Sequence, residues 1–235
     1  MIVVGYVLIE GHSRTEWMHS SVPETVYTPT ECVCTLHPSN LALTWMEDSQ
    51  TKTVYMEGLR LDQEERQKFQ AEVDKLCNDS LWGTDGVFSE YMPAANFLNR
   101  WFQGRPDVGL YELSIPDDLL PSFLDATAPP ASNTLLTGKH LAAQKAALPF
   151  PGTKALGFEV WGVQPWGDMH TSVCYDVRDG FVRDLGATFN RWGLLPTLEL
   201  AREAAIMNND AEGGSVGDSY WFPIQIAEIS VEAKI

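Results

Sequence analysis

At 235 residues the chain has room for a full hydrophobic core, built as one large domain or two small ones. Its 44% hydrophobic and 11% aromatic content, with 8 Trp, is that of a folded globular protein and excludes a disordered one. Against 16 Lys and Arg stand 32 Asp and Glu, a net charge of −16, which argues against nucleic acid as a partner because phosphate binding needs a basic face.

The opening "MIVVGYVLIE" is β-branched and apolar, and predicts a strand over Ile2–Glu10. It has no basic leader and is too short to cross a bilayer, so a cytoplasmic protein without a membrane partner is expected. Further strands are predicted at Cys32–Leu36, Leu41–Met46 and Thr53–Met56, with "HPSN" (His37–Asn40) turning a hairpin between the first two. In "LDQEERQKFQAEVDKLCN" Asp62 is placed to cap a helix, and Glu65 stands three residues on, where a capping box puts a carboxylate. Phe69, Val73, Leu76 and Cys77 then fall on one stripe, which makes Cys77 a core thiol. A short helix follows at Ala94–Phe102.

From Gly104 to Asn133 the chain carries Pro106, Pro116, Pro121, Pro129 and Pro130, which predict a connector without long regular elements. "TAPPASN" marks the boundary between an N-terminal α+β region (1–130) with an acidic, Pro-rich connector and a C-terminal α+β region (131–235), the two forming separate units or one continuous domain. Past it the pattern reads as a helix at Thr134–Ala147, strands at Leu156–Gln164 and Met169–Val177 paired as a hairpin through "PWGD", and a helix capped by Thr197 and running to Met207. "NNDAEGGSVGDS" is a polar loop. "YWFPIQIAEISV" is a closing strand whose Pro223 favours an edge or the strand's first residues. The fold class expected is α+β, mostly antiparallel sheet with flanking helices.

The catalytic spacings fail one by one. Gly213–Gly217 matches G-x-S-x-G as text, but a helix precedes it and a strand follows, the reverse of a nucleophile elbow. All five histidines also come before that serine. There is no P-loop, no H-E-x-x-H and no dinucleotide fingerprint. The four cysteines (Cys32, Cys34, Cys77, Cys174) form no C-x-x-C pair, and Cys32, Cys34 and His37 do not amount to a zinc set. His12, Glu16 and His19 would share a face only on a helix, and their segment has little helical character. No metal and no cofactor are expected. On the 169–177 strand, His170, Ser172, Cys174 and Asp176 face one way, but His170 and Cys174 are separated by ~13 Å of rise and cannot form a dyad. Cys174 is therefore expected to be buried and inert. A partner from elsewhere, such as His140, leaves a thiol- or His-dependent enzyme acting on a small molecule, using His170 or Cys174, as the alternative; a plain interaction domain is a third.

Acid is concentrated toward the first part of the chain: residues 1–130 hold 20 acids and 8 bases (8 − 20 = −12), and 131–235 hold 12 acids and 8 bases (8 − 12 = −4). Between Arg105 and Lys139 no basic residue occurs, whereas Asp107, Glu112, Asp117, Asp118 and Asp125 do. Those five define the candidate partner-binding surface, suited to a basic protein whose encounter is steered by charge; a solvated acidic surface is the plainer reading.

A resemblance adds to this. "LGFEVWG" (Leu156–Gly162), the Met169–Cys174 segment with its H-T, Gly193-Leu194 and the "WFP" of Trp221–Pro223 together resemble immunity proteins of bacterial toxin–immunity systems, over roughly Pro149–Ile229. The resemblance implies a non-enzymatic cytoplasmic protein that binds its cognate toxin and occludes the toxin's active surface.

Overall fold

The computed structural model describes residues 1–10, 12–13, 25–26, 61–83, 86–103, 108–129, 137–164, 169–171, 178–210 and 219–229. The expected strands between Cys32 and Met56, the "HPSN" turn and the Gly213–Gly217 loop lie outside them. Within them the strands are β1 (Ile2–Glu10), β2 (His12–Ser13), β3 (Thr25–Val26), β4 (Val108–Ile115), β5 (Lys154–Val163), β6 (Met169–Thr171) and β7 (Tyr220–Glu228). The helices are α1 (Gln63–Asn78), α2 (Tyr91–Trp101), α3 (Leu120–Thr127), α4 (Gly138–Lys145), α5 (Arg178–Leu185) and α6 (Leu198–Asn209).

Five strands form one antiparallel sheet in the order β1-β4-β7-β5-β6, and β2 pairs with β3 in a separate ladder. The architecture is α+β, as the sequence predicts. The sheet takes β1 and β4 from one side of the 130/131 boundary and β5, β6 and β7 from the other, with Leu113 of β4 opposite Ile226 of β7. The connector reading of Gly104–Asn133 is corrected by β4. Its eight residues fit between Pro106 and Pro116 and contain no proline, so every ladder bond is available. Pro121 sits in the first turn of α3, where a missing N–H costs nothing.

Alternation sorts the side chains onto two faces. Tyr111, Leu113 and Ile115 of β4, Phe222, Ile224 and Ile226 of β7 and Trp161 and Val163 of β5 face α3 and α4, which supply Phe123, Ala126 and Ala143. On the opposite face, Tyr6, Leu8 and Leu110 lie under α1 and α2, while Val160 and Trp221 lie under α5 and α6. Trp82 stacks on Phe88 (centroids 4.4 Å) and meets Phe97 edge-on (4.8 Å), and Phe69 contacts Phe97 and Trp101. Complete burial of Trp82, Phe69, Phe88 and Phe97 stabilises the fold by about 2–3 kcal/mol per side chain, before conformational entropy is charged against it.

Local signals account for the helix ends. Asp62 accepts from the Glu65 N–H (2.8 Å) and Glu65 accepts from the Asp62 N–H (2.9 Å), the capping box read in the sequence. Thr197 caps α6 through the Leu200 N–H. Thr137 caps α4, whose observed span is Gly138–Lys145, shorter than expected. Helix α5 gave no clear sequence signal. The β5–β6 hairpin forms as predicted (Trp161 opposite Thr171).

Two glycines open the edges of this sheet. Gly5 (φ +144°) and Gly157 (φ +149°) each sit at a register shift, in backbone that side chains resist. At each, a non-strand segment makes a single bridge to the following residue: Tyr6 with Phe88, and Phe158 with Leu195.

Pro223 is neither at an edge nor in the first residues of a peripheral strand; β7 is central. Trp221 turns its N–H and C=O away from β5 onto the Asn209 side chain (2.8 and 3.0 Å). Period two points the Pro223 nitrogen the same way, and β4 pairs only with Gln225–Glu228, so no ladder bond is lost.

Candidate partner-binding site

The acidic segment begins where Pro116 stops β4. A 3₁₀ turn, Asp117–Leu119, follows, and α3 carries the chain onto the face of Tyr111 and Leu113. Asp117, Asp118 and Asp125 are exposed. Asp117 contacts the Met1 ammonium. Asp118 accepts from the Arg202 guanidinium at 2.6 Å, across 84 residues of sequence. That hydrogen bond is the main reason the Asp118 carboxyl lies below the usual carboxylate range, and it raises Arg202 in return.

Arg202 is the signal that sequence reading missed. That single exposed ion pair links α6 to the turn, and Glu199 on the same helix is close enough to act on the Arg202 charge. Exposed Glu203 follows Arg202 on α6. Linear spacing between residues 118 and 202 offers no hint of this contact.

Glu112 departs from the expectation. It is 1% exposed, because β4 is central and both its faces are covered. Its Oε2 accepts the Phe150 N–H at 2.8 Å, and its Oε1 has no hydrogen-bond partner. Burial pushes its carboxyl above the ordinary range, opposed by that one hydrogen bond. Glu112 therefore does not belong to an exposed binding surface. Asp107 lies outside the described residues.

The groups weighed for catalysis are only partly placed. His170 belongs to β6, opposite Gly162, and its side chain is outside the described set, as are Cys174, Cys32 and Cys34. Cys77 is half-buried against the α1–α2 core. His140 is buried in α4. Its Nδ1 lies 2.9 Å from Thr127 Oγ1, whose hydroxyl donates to the Phe123 carbonyl, and its Nε2 lies 3.1 Å from Gln144 Nε2. One neutral tautomer satisfies all three groups: Nδ1–H donates to Thr127 and Nε2 accepts from Gln144. Burial, then the Lys139 charge, holds this imidazole below its usual range. It is a structural histidine joining α3 to α4.

Among the described residues no group of three or more His, Cys, Asp and Glu is placed to hold a metal, and no helix is long and apolar enough to cross a membrane. Large apolar side chains stand in solvent at Met92 (58%), next to Tyr91 in sequence, and Leu148 (75%), two residues before Phe150, while Tyr91 and Phe150 are in ring contact (4.9 Å); Ile206 and Tyr220 are exposed as well. No protein-family model, curated protein or solved structure matches this chain.

Proposed function

We propose that this chain is a non-enzymatic binding protein that neutralises a basic partner, acting as a bacterial immunity protein that occludes the active surface of its cognate toxin. The observation that supports it is the exposed carboxylate surface of Asp117, Asp118 and Asp125 beside Glu199 of α6, on a chain of net charge −16. Arg202 and Met1 neutralise part of that surface and fix its shape, and the remaining charge steers a basic partner. Affinity then rests on apolar anchors, for which Met92 and Leu148 have the exposure. The reading includes a cytoplasmic location, where such a protein meets the toxin it blocks.

The test is co-purification with the product of the adjacent gene, followed by binding kinetics. A triple variant, Asp117→Asn, Asp118→Asn and Asp125→Asn, should associate about tenfold more slowly at low salt, with the difference shrinking above ~0.15 M. An unchanged association rate would remove this surface from the reading. Failure of any basic neighbouring product to bind would remove the reading itself.

A further inference from the structure

Between α4 and β5 the chain crosses the sheet as a strap, residues 146–153. At its near end the Ala147 carbonyl accepts the Val3 N–H of edge strand β1 (2.8 Å). At its far end the chain enters β5, where Ala155 pairs with Ala227. The register places Tyr6, Glu112, Ala227 and Ala155 in one row across four strands; the strap passes over Glu112, and Ala155 at the end of the row is exposed. Two of the four are alanines, which leaves room for a crossing backbone. The strap's described bond to that row is the Phe150 N–H to Glu112 Oε2. Phe150 and Thr153 are half-buried, and Leu148, Pro151 and Gly152 are exposed.

That bond ends on a carboxyl with an unsatisfied second oxygen. Ionised, Glu112 would be a buried charge with one hydrogen bond and no cation beside it among the described residues; protonated, it is a neutral acid that still accepts from Phe150. The titratable groups facing it are the Tyr6 phenol from β1, pushed up to about 12 by burial and then by Glu112 itself, and Tyr91 from α2, which acts on Tyr6. β7 presents Ala227 and the strap presents Phe150, neither of which titrates; Leu110 and Ser114 flank Glu112 on its own strand. Two ion pairs, each internally neutral, flank the strap: Lys145–Glu90 ties the end of α4 to the α2 N-cap, and Lys154–Glu228 joins β5 to β7.

We propose that Glu112 is a proton-operated latch: protonated, it holds the 146–153 strap across the sheet, and on losing its proton it releases the strap and uncovers the Tyr6–Glu112 row. In the open form Glu112 meets water and titrates as an ordinary glutamate. Its closed-form value is raised, so closure is most stable below the ordinary value and weakens as pH rises toward the closed-form value.

Amide hydrogen exchange on the full chain tests this. After correction for intrinsic rates, protection of the Phe150 amide should fall with pH across that window, with a slope approaching tenfold per pH unit for one linked proton. The Leu195 amide, bonded to the Phe158 carbonyl, serves as a reference and should show no such slope. In Glu112→Gln, which keeps an oxygen for the Phe150 N–H but cannot ionise, the slope should vanish and the protection remain. Should that variant not fold, carbon-detected titration of the Glu112 carboxyl in the native protein decides the matter. A midpoint at or below the ordinary glutamate value, or Phe150 protection that tracks Leu195 at every pH, overturns the proposal.

Discussion

Val87 is the point at which two glycines carry opposite consequences. A Cβ on Gly5 would lie 2.1 Å from Val87 Cγ1, and one on Gly138 would lie 1.8 Å from the Val87 carbonyl oxygen. Gly138 is the first residue of α4, so propensity alone favours Gly138→Ala by up to about 1 kcal/mol. The clash with a backbone oxygen outweighs that, and overpacking of this kind costs about 1–3 kcal/mol. Gly5→Ala carries a similar overpacking cost plus about 1–3 kcal/mol for its backbone conformation. Val87 is fully buried, and Val87→Ala removes two methyl groups at about 0.8 kcal/mol each, or about 2 kcal/mol with the cavity. The double variants separate the two cases. Val87→Ala removes the atom that Gly5→Ala strikes, so that pair should couple favourably by about 1–2 kcal/mol. It leaves the carbonyl that Gly138→Ala strikes, so that pair should be additive within about 0.5 kcal/mol. Urea unfolding at constant slope reads both. Equal coupling in the two pairs, or a Gly138→Ala protein as stable as its parent, would show that these approaches do not govern the packing.

Asp62→Ala should lower the urea midpoint by the equivalent of about 1 kcal/mol, because it removes the carboxylate that accepts the Glu65 N–H at the start of α1; Glu65→Gln, which keeps an oxygen for the Asp62 N–H, should cost less. His140 should titrate below the usual imidazole value of about 6.5 by proton NMR. Its folded value is depressed, so its contribution is present above that usual value and is lost as pH falls below it, the opposite sign to Glu112. Stability that rose on acidification through pH 6 in the parent and not in His140→Gln would contradict this.

What the sequence disclosed divides along a physical line. Features decided within a few residues were legible: the Asp62–Glu65 box, the Thr197 cap and the β5–β6 hairpin. Features decided by distant partners were not. Strand β4 was hidden by the prolines around it, although Tyr111, Leu113 and Ile115 alternate onto a buried face. The other face of β4 carries Glu112 and Ser114, which read as solvent-facing until β1 and β7 flank the strand and the strap covers it. Counting charge along the chain therefore groups Glu112 with Asp117 and Asp118, although Glu112 lies inside β4 and the two aspartates lie in the exposed turn beyond it. Likewise, Pro223 reads in the sequence as the mark of an edge or of a strand's first residues, because nothing local shows that on this stretch of β7 the side away from β5 meets the Asn209 side chain, through Trp221, and not a strand.

The position of β7 also sets an order of events. Ser114 and Gln225, in contact across β4 and β7, stand 111 residues apart, and β7 separates β4 from β5 in the finished sheet. Until residues 220–228 are delivered, both β4 and β5 present an open edge, and the faces of Tyr111 and Trp161 lack the Phe222–Ile226 row between them. Closing so long a loop is slow, and exposed edges recruit other chains in the meantime. The β1–β4 and β5–β6 pairs can form first as two half-sheets, each ending in a template for the same segment. The strand of this sheet that is made after the other four is then the one that joins two half-sheets into one, and a chain stalled before residue 220 is an aggregation hazard rather than a partial domain.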